Sequence, residues 1–162
     1  MAQSTERERL IFMAHSDLRV MILRPIGGVA AEDLIEQFFT SLSRVEQPWL
    51  YHRLVDVRRY EGHFSAEHVA TVAKRWQTLR GRHASYAHVA LVSPHRCDRW
   101  HEASPLPGFP NETLCRFTSY PHAFNWLTAA DRHAYLAQIT NAPADSGEKL
   151  RPSALSGDIL LD

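Results

Sequence analysis

The sequence predicts a mixed α/β domain, with a mostly parallel sheet of about five strands, an opening β-hairpin and about four helices. Three observations carry that expectation. Two short apolar runs lie close together near the start, joined only by a polar connection. Beyond them, the hydrophobic pattern switches between strand-like runs and a helical period of about 3.6 residues. The later strands are separated by helical segments long enough for the crossovers that parallel pairing requires.

The elements follow in order. Residues 10–14 and 18–23 are apolar runs separated by His15, Ser16 and Asp17, the pattern of a hairpin. Pro25, Gly27 and Gly28 are expected to break the second strand. Over residues 30–45, Leu34, Phe38, Leu42 and Val45 share one helical face. Glu32, Asp33, Glu36 and Gln37 lie opposite, with acidic residues in the first turn as the helix dipole favours. Gln47-Pro48 ends that helix, and residues 51–57 read as a central strand. Ser65 is a natural N-cap for a second helix, whose buried stripe is Val69, Val72, Ala73, Trp76 and Leu79. Arg80, Gly81 and Arg82 mark its end. Residues 89–92 form the next buried strand, and a short helix is expected over 95–103. A proline-rich stretch, 105–110, precedes a fifth strand at 114–118. Pro121 then occupies the permitted first turn of a helix over 121–127. Residues 131–139 extend that helix or form a separate one. Residues 1–140 thus read as one domain, and 141–162, rich in Ser, Gly, Pro and Asp, as a C-terminal tail.

Composition excludes several function classes. With 162 residues and 44% hydrophobic content the chain can bury a core of its own. Lys plus Arg equal Asp plus Glu, 18 against 18, which argues against a nucleic-acid partner. No stretch approaches the roughly 20 apolar residues of a membrane span. The polar, charged start of the chain lacks a secretory pattern, so the expected location is cytoplasmic. Cys97 and Cys115 are then reduced residues rather than a disulfide framework. The glycosylation-like triplet Asn111-Glu112-Thr113 is set aside on the same ground.

Candidate chemistry is sparse. Neither a Gly-x-Ser-x-Gly elbow nor a phosphate-cradling glycine loop occurs, so no enzymatic activity and no cofactor are expected. Cys97 and His101 are spaced to share a helix face, near His95, but a zinc site would need further ligands from Cys115, His122 or His63. No paired metal-binding motif is present, and no metal is expected. Asp56 stands at the carboxyl end of the central strand, where open α/β sheets bind ligands. It could act with His63 or His68 in an enzyme, or simply pair with Arg58 or Arg59. Arg96 and Arg99 lie one turn apart and could join Arg58 and Arg59 around an anion. Trp100 and Phe109, in or beside loops, could line a pocket or a protein interface.

The order of elements, with the segments 18–34, 52–58, 65–69, 82–94 and 117–127, resembles the SpoIIAA-like group of the STAS (sulfate transporter and anti-sigma factor antagonist) superfamily. The likeness covers roughly residues 8–128. It implies a non-enzymatic domain for regulation or ligand sensing, acting through a regulatory protein partner or a small-molecule ligand, with a homodimer among the expected assemblies. By position, Ser65 is the counterpart of the family's phosphoacceptor. Phe64-Ser65-Ala66-Glu67 stands where the family carries an Asp-Ser-Ser-Gly-type motif. The resemblance further implies, as an alternative, a small-molecule or lipid-binding domain, for which the proline-rich 104–110 loop could lid the pocket. An interaction module predicts an exposed apolar patch without a deep pocket. A ligand-binding domain predicts an enclosed apolar cavity with few charges. An enzyme requires a carboxylate and a histidine within hydrogen-bond reach in a cleft.

Overall fold

In a computed structural model of the protein, which describes residues 9–95 and 103–128, β1 (Arg9–His15) and β2 (Val20–Ile26) form the opening hairpin. Arg19 makes the tight connection in the left-handed region, at φ 53°. Helix α1 (Ala31–Leu42) leads through a short 3₁₀ turn (Pro48–Leu50) to β3 (His52–Asp56). Helix α2 (Ala66–Arg80) then precedes β4 (Ala87–Val92), a two-residue strand β5 (Ser104–Pro105), β6 (Glu112–Phe117) and helix α3 (Tyr120–Thr128). The sheet order is β1-β2-β3-β4-β6-β5. The inner pairs β2–β3, β3–β4 and β4–β6 are parallel, while β1 and β5 close the edges antiparallel.

This is the expected fold class, with two corrections, one to the strand count and one to the end of β2. Among the described residues six strands are present rather than about five, because part of the proline-rich stretch pairs with β6 as β5. Three α-helices are present among the described residues; most of the helix expected over 95–103, and all of 131–139 and the tail, lie outside them. Strand β2 also continues through Pro25 instead of stopping before it. The reason is local. Pairing of β2 with β3 ends at Leu23 and Val55 and resumes only where Gly27 bridges Tyr60. Opposite Pro25, the Leu10 N–H turns outward to the Gln37 Oε1 at 2.9 Å. Proline therefore stands at a gap in the ladder, where its missing N–H deprives no partner.

Alternation along the strands gives the sheet two unlike faces. Val20, Ile22, Leu54, Ala90, Val92, Cys115 and Phe117 point to one side, where Ala123, Trp126 and Leu127 of α3 cover them. Met21 and Leu23 point to the other side, toward Phe38 and Leu42 of α1 and Ala73 and Trp76 of α2.

Candidate functional site

On the α1–α2 side the packing is incomplete. A cavity of about 460 Å³ lies between the sheet and the two helices, within the range typical of small-molecule pockets. Its floor includes Leu23, Val55, Val57, Val89, Leu91 and Leu114. Leu34, Ile35 and Phe38 of α1 and Val69, Val72 and Trp76 of α2 form the walls. Leu106 and Phe109 reach in from the 104–110 loop, while Tyr60 and Phe64 come from the segment before α2. Phe64 is 37% exposed while lining the space, so it marks a rim.

Among the described residues, Arg53 contributes the one charged side chain in this lining. Strand alternation sends it to the same face as Val55, and its side chain is only 6% exposed. One terminal nitrogen, Nη2, donates to Glu112 Oε2, and Trp76 Nε1 donates to the other carboxylate oxygen at 2.9 Å. The guanidinium stacks 4.4 Å from the Trp76 ring centroid and 5.6 Å from that of Phe109. Its other terminal nitrogen, Nη1, is buried without a hydrogen-bond partner. A buried donor left without an acceptor is costly, about 1–3 kcal/mol.

The 104–110 loop is tied to α2. Gln77 Nε2 donates to the Gly108 carbonyl at 2.6 Å and Arg80 Nη1 to that of Pro110 at 3.1 Å. Gly108 has φ 79°, and a Cβ there would lie 3.0 Å from Ala73 Cβ. Glycine allows both the left-handed backbone and the close approach. Through this loop Phe109, 8% exposed, is held against Arg53.

Polar contacts join the two helices outside the apolar space. Glu36 of α1 pairs with Arg75 of α2, whose guanidinium also lies 4.1 Å from the Phe39 ring. Glu32 meets His68 Nε2 at 3.2 Å. The Glu32 carboxyl lies below its ordinary range, first because of a helix-terminal backbone N–H and then because of His68. Ser65 is the N-cap of α2, accepting from the His68 N–H at 3.3 Å, while its own N–H donates to His68 Nδ1 at 3.0 Å. This is a capping box with histidine in the place usually held by Glu or Gln. Ser65 Oγ is also 2.9 Å from His68 Nδ1.

Asp56 lies on the opposite face, at the carboxyl end of β3. Arg58 donates to it through Nε and Nη2, each at 2.8 Å, and Arg24 Nε stands 3.5 Å away. Arg24 in turn covers the Tyr120 ring at 4.4 Å. Burial pushes the Asp56 carboxyl up, but the bonds from Arg58 and the charges of Arg58 and Arg24 outweigh it and leave it below its ordinary value. Arg59 joins these residues around a smaller cavity of about 390 Å³.

The sequence-expected site residues therefore fall in three places. Asp56, Arg58 and Arg59 come together with Arg24, which sequence reasoning missed. Ser65 caps α2 near the rim, and Phe109 lines the apolar cavity. Arg96, Arg99 and Trp100, with Cys97 and His101 of the metal reading, lie outside the described residues. No group of three or more metal-ligating side chains occurs among the described residues. Sequence reasoning also missed Arg53 and Glu112. The available signal was a charged residue at an inward position of an otherwise apolar central strand.

A scan of protein-family models finds no match to this chain, and a search of curated proteins finds none either. Among solved structures, the chain is similar to an uncharacterised protein from the DUF3478 family with a SpoIIAA-like fold, from Shewanella loihica PV-4. The two are 16% identical with a TM-score of 0.47, over 78% of this chain and 99% of the other. No helix among the described residues is long and apolar enough to cross a membrane.

Proposed function

We propose that the protein is a non-enzymatic binding domain whose ligand is a small apolar molecule held between the sheet and the α1–α2 pair. The observation that carries this reading is the cavity itself, which is lined almost wholly by aliphatic and aromatic side chains beside a single charged one. Filling it would remove apolar surface from water at roughly 25 cal/mol per Å². Of the readings drawn from the sequence, a partly open apolar cavity bordered by the 104–110 loop and lined by a single charged side chain among the described residues supports the ligand-binding one. Regulation of a protein partner would then follow from whether the cavity is occupied. The test is a fluorescence titration with N-phenyl-1-naphthylamine, which brightens in apolar sites. Saturable brightening at one probe per chain, weakened by Leu91→Phe, is expected. Absence of saturable brightening in the unsubstituted protein would sink the proposal.

A hydrolytic reading has one observation in its favour, the series Ser65 Oγ, His68 Nδ1 and Nε2, and Glu32. Against it, the Nδ1 lone pair already accepts the Ser65 N–H, and the helix cap accounts for the Ser65–His68 contacts. Turnover of p-nitrophenyl butyrate that disappears in Ser65→Ala, with the helix content unchanged, would favour hydrolysis over simple binding.

A further inference from the structure

We infer that the ligand carries a neutral hydrogen-bond acceptor, a carbonyl or hydroxyl oxygen on an apolar body, and that Arg53 Nη1 donates to it. This rests on the apolar cavity being a binding site. The motivating observation is a mismatch within one buried group. Each Glu112 carboxylate oxygen has a donor, Arg53 Nη2 on one and Trp76 Nε1 on the other. Arg53 is not fully engaged, because Nη1 is buried and has no acceptor while its side chain lines the cavity. Buried donors are nearly always satisfied. Of the aliphatic and aromatic side chains around this space only Tyr60 carries an oxygen; its hydroxyl donates to the Val29 carbonyl, and it does not accept from Nη1. An acceptor arriving with a ligand would complete the set.

Charge selects the kind of acceptor. Arg53 and Glu112 already neutralise each other, both almost wholly buried. A carboxylate ligand would bring an unbalanced charge into a poorly polar space and lose its hydration there. A carbonyl or hydroxyl loses far less and still receives a bond from a charged donor, the stronger kind.

Three near-isosteric probes separate these cases by displacing N-phenyl-1-naphthylamine: acetophenone with a neutral acceptor, ethylbenzene with none, and benzoate with a charge. Acetophenone is expected to displace the probe at about tenfold lower concentration than ethylbenzene, with benzoate weakest. In the double variant Arg53→Met with Glu112→Gln, which keeps an acceptor for Trp76, ethylbenzene should still displace and the preference for acetophenone should vanish. Equal displacement by acetophenone and ethylbenzene in the unsubstituted protein would overturn the inference, meaning that solvent serves Nη1, while leaving the cavity reading intact. Benzoate as the best competitor would overturn it in favour of an anion site. A preference that survives in the double variant would show that Arg53 is not the donor. Failure of the naphthylamine probe to bind at all would remove both readings together. Should the double variant not fold, the three-probe comparison on the unsubstituted protein still decides.

Discussion

Ala90 and Leu91 are neighbours on β4 and face different interiors. Ala90 is wholly buried against α3 in a close-packed layer with Phe117, Trp126 and Leu127. Leu91 is only half-buried and borders the cavity beneath α1 and α2. The same four parallel strands supply both faces, so the difference lies in what covers them. On one side a single helix places its buried stripe directly on the sheet. On the other, two helices are joined by Glu36–Arg75 and Glu32–His68, with apolar space left underneath. One face is close-packed, and the other keeps the apolar cavity that the proposed ligand would fill.

The contrast predicts unequal responses to substitution. Trp126→Ala should cost about 3–5 kcal/mol, as large-to-small changes in packed cores do, whereas Leu91→Ala should fall at or below the roughly 2 kcal/mol lower bound for buried leucine. Urea unfolding measures both, and equal costs would break the distinction. Enlargement should reverse the order of tolerance. Ala90→Leu is expected to lose about 1–3 kcal/mol by overpacking, while Leu91→Phe enters existing space and leaves the unfolding midpoint unchanged or raised.

Gly108→Ala is next in size. Placing alanine in the left-handed region costs about 1–2 kcal/mol, and its Cβ would press on Ala73 of α2. The 104–110 loop should loosen, seen as faster amide exchange in that segment with exchange in α3 unchanged. A smaller effect is expected from acid. The Asp56 carboxyl is held below its unfolded value, so its stabilisation is fully present above that ordinary value, about 3.9. It is lost as pH falls through the lower folded-state value. Asp56→Asn should flatten that acid limb of a melting-temperature profile; an unchanged limb would mean that Arg58 and Arg24 do not stabilise the ionised form. Smallest is Glu36→Gln, an exposed pair with Arg75, where a change within about 0.5 kcal/mol is expected by thermal melting.

The fold was legible in the sequence because alternation and helical period are local signals. Leu34, Phe38 and Leu42 marked the inward face of α1, and Ser65 marked the start of α2, as observed. Pro25 misled because its cost depends on whether a neighbouring strand is present at that level, which no local pattern records. Adjacency gave Asp56 a partner in Arg58 or Arg59, and the structure selects Arg58, but Arg24 reaches it only through the β2–β3 register. The cavity was less legible still. Valines and leucines that line a space have the same spacing as those that fill one, and the difference is set by how two helices sit over the sheet. Arg53 and Glu112 are 59 positions apart and meet only once β3, β4 and β6 are aligned.

The most direct test of the two-face account is methyl NMR on protein labelled at isoleucine, leucine and valine, titrated with ethylbenzene. Shifts confined to methyls that line the cavity, Leu23, Val55, Val69, Val72 and Leu91 among them, with Val20, Leu54, Val92 and Leu127 unmoved, are the predicted result. Shifts on the α3 face, or none that saturate on the α1–α2 face, would contradict it.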